Sequence, residues 1–265
     1  MQKNWLKFDF SFYLVTLLAI ILGYLDQYMM LAITILIHES GHLVMAYFYR
    51  WKLEELKFFG LGGVLTFHEE LNKSNKEDII ISSGGLLFNF IFLLILLLFK
   101  ELPMSLVYVK KYQYLIFAQI FIISFNLLPL PPLDGGRIFS AVLCFFFPYK
   151  KVLKITALFY GFILIIFTII LITFFYNFRQ YFLILSFLIY TTLKYNWQGD
   201  YLFQRFLVQK KLDRNTSLPV KTVKINKGTW EDNIYRGYIN LFQIKTHIND
   251  EIKFLNLKYG KKTGY

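Results

Sequence analysis

The chain has one cysteine, Cys144, four histidines and only six prolines in 265 residues. A lone cysteine excludes an internal disulfide framework. It also excludes a thiolate zinc site, which needs several cysteines. Acidic residues are scarce too: 17 Asp and Glu stand against 29 Lys and Arg, a net charge of +12. In a soluble chain that excess would raise nucleic acid as a partner. Here the basic residues flank apolar runs, which fits the cytoplasmic side of a bilayer next to anionic lipid, and no nucleic-acid partner is expected. The start of the chain lacks a short apolar core followed by a small-residue cleavage site. Residues 8–25 are therefore expected as a retained first span and not as a signal peptide.

Apolar residues are abundant: 56% of the chain is hydrophobic, with 30 Phe, 19 Tyr and a mean hydropathy of +0.47. Ordinary soluble domains sit near 45–50% apolar, and several runs here approach the ~20 residues that cross a bilayer. The expected fold class is an all-α membrane protein with about six transmembrane helices. They fall near residues 8–25, 28–49, 78–99, 155–176 and 181–195, plus one that begins near Tyr112, breaks at Pro129–Gly136 and resumes to Phe147. An even number of spans puts both termini on one side. That side would hold Lys3, Lys7, Arg50, Lys52, Lys57, Lys73, Lys76, Lys150, Lys151, Lys154 and the basic tail; the other would hold Lys100, Lys110, Lys111 and Arg179. The bias predicts a multi-pass protein of the cell membrane with cytoplasmic termini.

Two stretches depart from the helical pattern. Lys57–Glu70 reads KFFGLGGVLTFHEE, where Gly60, Gly62 and Gly63 interrupt aromatic and β-branched residues. A short β-hairpin-like insertion is expected there. From Asn196 onward charged and isolated apolar residues alternate, and Pro219 and Gly228 suggest turns. The expected division is a membrane domain over 1–195 and a small soluble C-terminal domain over 196–265.

The chemistry concentrates at His38-Glu39-Ser40-Gly41-His42, inside the second apolar run. Residues i and i+4 of a helix share a face, so both imidazoles can reach one zinc, and Glu39 projects beside them to take a proton from water. A single membrane histidine often only bonds a neighbouring helix, but three ionisable groups within five residues have no packing rationale. A catalytic zinc usually has a third protein ligand. Asp134 supplies a candidate: it is an acid in an apolar segment, beside the helix-breaking Pro129, Pro131, Pro132, Gly135 and Gly136. His42 lies about 12 Å of helix before Arg50, and Asp134 falls past the midplane in the same direction. One zinc ion per chain is the expected cofactor.

These residues resemble the site-2 protease family of intramembrane metalloproteases, and most closely its sporulation branch. The resemblance rests on HExxH at His38–His42, on an N-x-x-P-x-x-x-L-D-G pattern from Asn126 to Gly135, and on Ser83–Asn89, where Gly85 stands in place of the usual proline. It implies that His38, His42 and Asp134 hold zinc and that Glu39 is the catalytic base. It implies that the 57–70 insertion lies against an unwound, membrane-associated protein substrate, near Gly62 and Gly63. Asn89 and Asn126 are amides at membrane depth, expected either to bond between helices or to position the substrate backbone or an oxyanion. In this branch the substrate is a sigma-factor precursor, partner membrane proteins restrain the enzyme, and the tail is a CBS-like module. Arg137 reads as a substrate or lipid contact, and His68 and His247 as bystanders. Two rival readings use the same ligands: a membrane metal-ion transporter, and a non-catalytic membrane scaffold.

Overall fold

The computed structural model describes residues 6–60, 62–67, 73–99, 106–174, 182–212, 218–225, 229–244, 247–251, 254–255 and 258. His68, Glu69, Glu70, Lys100, Arg179 and Gly228, all weighed above, lie outside these. The chain divides into two compact units, one of residues 1–68 and 80–128, the other of residues 69–79 and 129–265.

In the first unit, strand β1 (Leu6–Phe8) leads into helix α1 (Phe10–Ile21), whose N-cap Asp9 accepts from the Ser11 N–H. Helix α1 is 12 residues long, shorter than the span expected over 8–25. Phe8 is taken by the sheet, where its ring stacks on Phe58 at 5.6 Å. At the other end Gly23, at φ +73°, closes the helix: Tyr24 N–H donates to Ala19 O and Gly23 N–H to Ile20 O. Helix α2 (Leu25–Phe48) ends the same way, with Arg50 in the left-handed region and Trp51 N–H donating to Ala46 O. Trp51 then packs with Ala46, Leu56, Leu65, Phe67 and Ile81 as the local core.

Strands β2 (Leu53–Phe59) and β3 (Gly62–Phe67) form the expected hairpin, antiparallel, with Phe59 opposite Gly62. Strand β1 adds to it in parallel, giving the order β1-β2-β3, so β3 is an edge among the described residues. Helices α3 (Asn75–Leu98) and α4 (Leu106–Asn126) follow. Helices α2 and α3 meet backbone to backbone: a Cβ on Gly41 would lie 2.2 Å from Gly84 O. Small residues permit such close crossings in membranes.

The second unit holds α5 (Asp134–Phe146), α6 (Tyr149–Phe174), α7 (Phe182–Trp197) and α8 (Gly199–Leu212), with the first turn of α3. Strands β4 (Val220–Lys224), β5 (Ile239–Ile244) and β6 (His247–Asp250) form a second sheet, β4 parallel and β6 antiparallel to β5. Phe203, Phe206 and Leu207 of α8, Phe242 of β5 and Ile234 pack against Cys144, Tyr149 and Val152. The tail from residue 196 thus shares one core with α5 and α6.

The fold is mostly helical with two small sheets. Among the described residues, three helices are long and apolar enough to cross a membrane: Leu25–Phe48, Asn75–Leu98 and Tyr149–Thr173.

Candidate metal centre

Helix α2 sets His38 and His42 one turn apart, with 5% and 8% exposure. His42 Nδ1 lies 2.7 Å from the Ile81 carbonyl of α3. A carbonyl only accepts, so Nδ1 carries the proton and Nε2 presents its lone pair. That lone pair faces His38: the two Nε2 atoms are 3.1 Å apart, with ring planes at 85°. Zinc–imidazole bonds are about 2.0–2.1 Å, so one ion can touch both atoms at this spacing.

Helix α3 supplies the floor. A Cβ on Gly85 would lie 2.5 Å from His42 Nε2 and 2.7 Å from His38 Cε1. The absent side chain is what lets both rings lie on the α3 backbone, which gives the departure from proline at this position a physical meaning. Glu39 is also buried, at 8% exposure, and its side chain runs along β3: a Cβ on Gly63 would come 3.2 Å from Glu39 Cγ. Gly62 has nothing within 4 Å of such a Cβ. Asn89, one turn beyond Gly85, is fully buried, and neither of its amide atoms has a partner among the described residues. Asn126 is spent locally, its Nδ2 donating to Ile122 O at 3.1 Å.

The third candidate ligand sits where the helix breaks. Helix α4 ends at Asn126, and Leu133, at φ −70° and ψ 157°, leads into α5, whose first residue is Asp134. The unsatisfied N–H groups of a first helical turn favour a carboxylate. Two hydroxyls brace the break: the buried Tyr160 donates to Gly136 O at 2.9 Å, and the half-buried Thr191 to Pro131 O at 3.0 Å. Arg137, three residues on, donates to Asp78, which also binds Arg236. Burial of Arg236 opposes its charge, but the facing Asp78 carboxylate overrides this and raises its pKa. Tyr160, Thr191, Asp78 and Arg236 escape a reading of motifs; an acid opening an apolar run at Asp78 is the one signal that hints at a buried ion pair.

One ligand atom from each of His38, His42 and Asp134 lies within 4.8 Å of the others, so the three are positioned to bind one metal ion. Two imidazoles and a carboxylate, all buried, form a donor set that suits zinc and leaves a fourth position for water or substrate.

Residues 27–106 match Peptidase family M50. The chain is similar to stage IV sporulation protein FB of Bacillus subtilis, 25% identical over 139 residues, covering 52% of this chain and 48% of that one. It is also similar to a zinc metalloprotease of Methanocaldococcus jannaschii, 30% identical over 132 residues, covering 49% of this chain and 38% of that one. The chain thus spans about half or less of these curated relatives. The solved site-2 protease from Methanocaldococcus jannaschii shares the fold, with a TM-score of 0.55 and 23% identity over 74% of this chain and 93% of that one.

Proposed function

We propose that the chain is a zinc metalloendopeptidase that hydrolyses a peptide bond of a membrane-associated protein near the cytoplasmic face. The observation that carries this reading is the convergence of His38, His42 and Asp134 beside the buried Glu39. When bound, zinc supplies Lewis acidity that polarises a carbonyl and acidifies water. His42 enters as a neutral ligand because Ile81 O holds its other nitrogen's proton. Glu39 takes the proton of the attacking water and returns it to the leaving amine. Asn89 offers amide donors and an acceptor to the substrate backbone, and the β3 edge, bare of side chains at Gly62 and Gly63, offers a strand for an unwound segment to pair with. Asn126 is kept as a positioning residue on the strength of the N-x-x-P pattern.

The finer reading is a chain of six spans with cytoplasmic termini, supported by the apolar runs and the positive charge bias. Residues 196–265 act as a cytosolic, CBS-like module. The similarity to stage IV sporulation protein FB supports a sigma-factor precursor as substrate and regulatory membrane proteins as partners.

Glu39→Gln tests the mechanism. The variant should keep its zinc and cut a co-expressed substrate about 10²–10⁴-fold more slowly. Unchanged cleavage would overturn the assignment. A metal transporter would instead move zinc across vesicles whether or not Glu39 is present.

A further inference from the structure

We propose that the buried cluster Arg137–Asp78–Arg236 is a positioning device through which the C-terminal segment sets the orientation of Asp134. The inference rests on the metallopeptidase reading of that residue.

Asp78 lies in the first turn of α3 with its side chain 4% exposed. Each of its oxygens is used by a different guanidinium: Oδ1 accepts from Arg137 Nη2 at 2.9 Å and Oδ2 from Arg236 Nη2 at 2.7 Å. Arg236 belongs to the turn before β5, more than 150 residues further along the chain, and its own side chain is 7% exposed. The turn is pinned beyond its charge. Asn75 Nδ2 donates to Arg236 O at 2.9 Å, and Tyr149 N–H donates to Ile234 O at 2.8 Å. Arg137 lies three residues after Asp134, on the same face of α5. Tyr160 and Thr191 hold the backbone on either side of Asp134, whereas Arg137 fixes the rotation of the helix that carries it.

A buried ion cluster is weak evidence for stability, because apolar replacements of equal volume often hold a fold as well or better. Two planar guanidiniums, each on its own oxygen of one carboxylate, supply geometry. The geometry here connects the metal-ligand helix to the tail through one carboxylate. A metal ligand displaced by part of an ångström loses affinity and rate while the fold survives.

The test uses the full chain in detergent, reading zinc affinity by competition with a chromophoric chelator, cleavage kinetics and melting temperature. Arg236→Met should weaken zinc binding about tenfold and lower kcat with KM nearly unchanged. Arg236→Lys, which keeps the charge without the planar guanidinium, should fall between it and wild type. Lys150→Met, which cuts the exposed contact with Asp232, should leave zinc affinity and kcat alone. An Arg236→Met protein with wild-type zinc affinity and kcat, but a lower melting temperature, would show that the cluster only fastens the tail and would overturn the inference. If Arg236→Met does not fold, Asn75→Ala decides: it keeps all three charges, and a twofold or greater loss of zinc affinity supports the device while none overturns it. A wild-type chain that neither binds zinc nor cuts would defeat the metallopeptidase reading, and this inference with it; an active wild type beside an unaffected Arg236→Met defeats the inference alone.

Discussion

The molecule buries two groups of ionisable residues, and they are built on opposite principles. His38, Glu39 and His42 bring lone pairs together on α2, and Asp134 adds a carboxylate. The two imidazole Nε2 atoms face each other at 3.1 Å. Asp78, by contrast, is already met by Arg137 and Arg236. The first group gathers a donor set that suits a cation, while the second pairs a carboxylate with guanidiniums of the chain itself. Burial of charge therefore does not mark a reactive site by itself; the sign and supply of the compensating charge do.

The comparison is broken most severely by removing ligands. His42→Ala should reduce zinc content towards zero and Asp134→Ala should lower it steeply, both with cleavage at background, whereas loss of Asp78 should leave a folded fraction that still holds metal. Next in size is Gly85→Ala. Its Cβ meets His42 Nε2 and His38 Cε1, so zinc affinity should fall about 10–100-fold. Gly161→Ala in α6, with open space around its Cβ, should be neutral or slightly stabilising. Wild-type affinity in Gly85→Ala would show that the rings do not need that surface.

The ion-paired group predicts an asymmetry in stability. Asp78→Asn removes the carboxylate that faces the buried Arg236 and the part-exposed Arg137 and should cost about 3 kcal/mol, while an all-apolar triple replacement should cost far less. Denaturation of both variants checks this, and equal losses would contradict it.

The smallest effect is at the surface. Hydrogen bonds from Lys150 and then Thr229 hold Asp232 down at a pKa of about 2. A depressed carboxylate stabilises above its unfolded pKa, near 4, and that stabilisation is lost as pH falls through about 2. Lys150→Met should shrink this acid-limb loss by less than about 1 kcal/mol, since the pair is largely exposed.

The parts of this arrangement legible in the sequence are those encoded over short distances. HExxH is readable because four residues make one helical turn, and the 129–136 break because proline and glycine disrupt helices wherever they stand. The hairpin at Leu53–Phe67 is readable from its glycines. Strand β1 is not: three residues carry too little pattern, and their partner lies 50 residues away. The early end of α1 hangs on Gly23, one residue inside an apolar run. The Asp78 cluster joins positions 59 and 158 residues apart, and no local periodicity encodes such pairings. The tail reads as soluble because its apolar residues are isolated in sequence, yet Phe203, Phe206 and Phe242 gather in space against Tyr149.

X-ray absorption at the zinc edge of the purified chain tests the central claim most directly. The account predicts close to one zinc per chain with only nitrogen and oxygen neighbours at about 2.0–2.2 Å, two of them imidazoles, and a lost oxygen neighbour in Asp134→Ala. Zinc absent from the wild type, or a spectrum unchanged by Asp134→Ala, would contradict it.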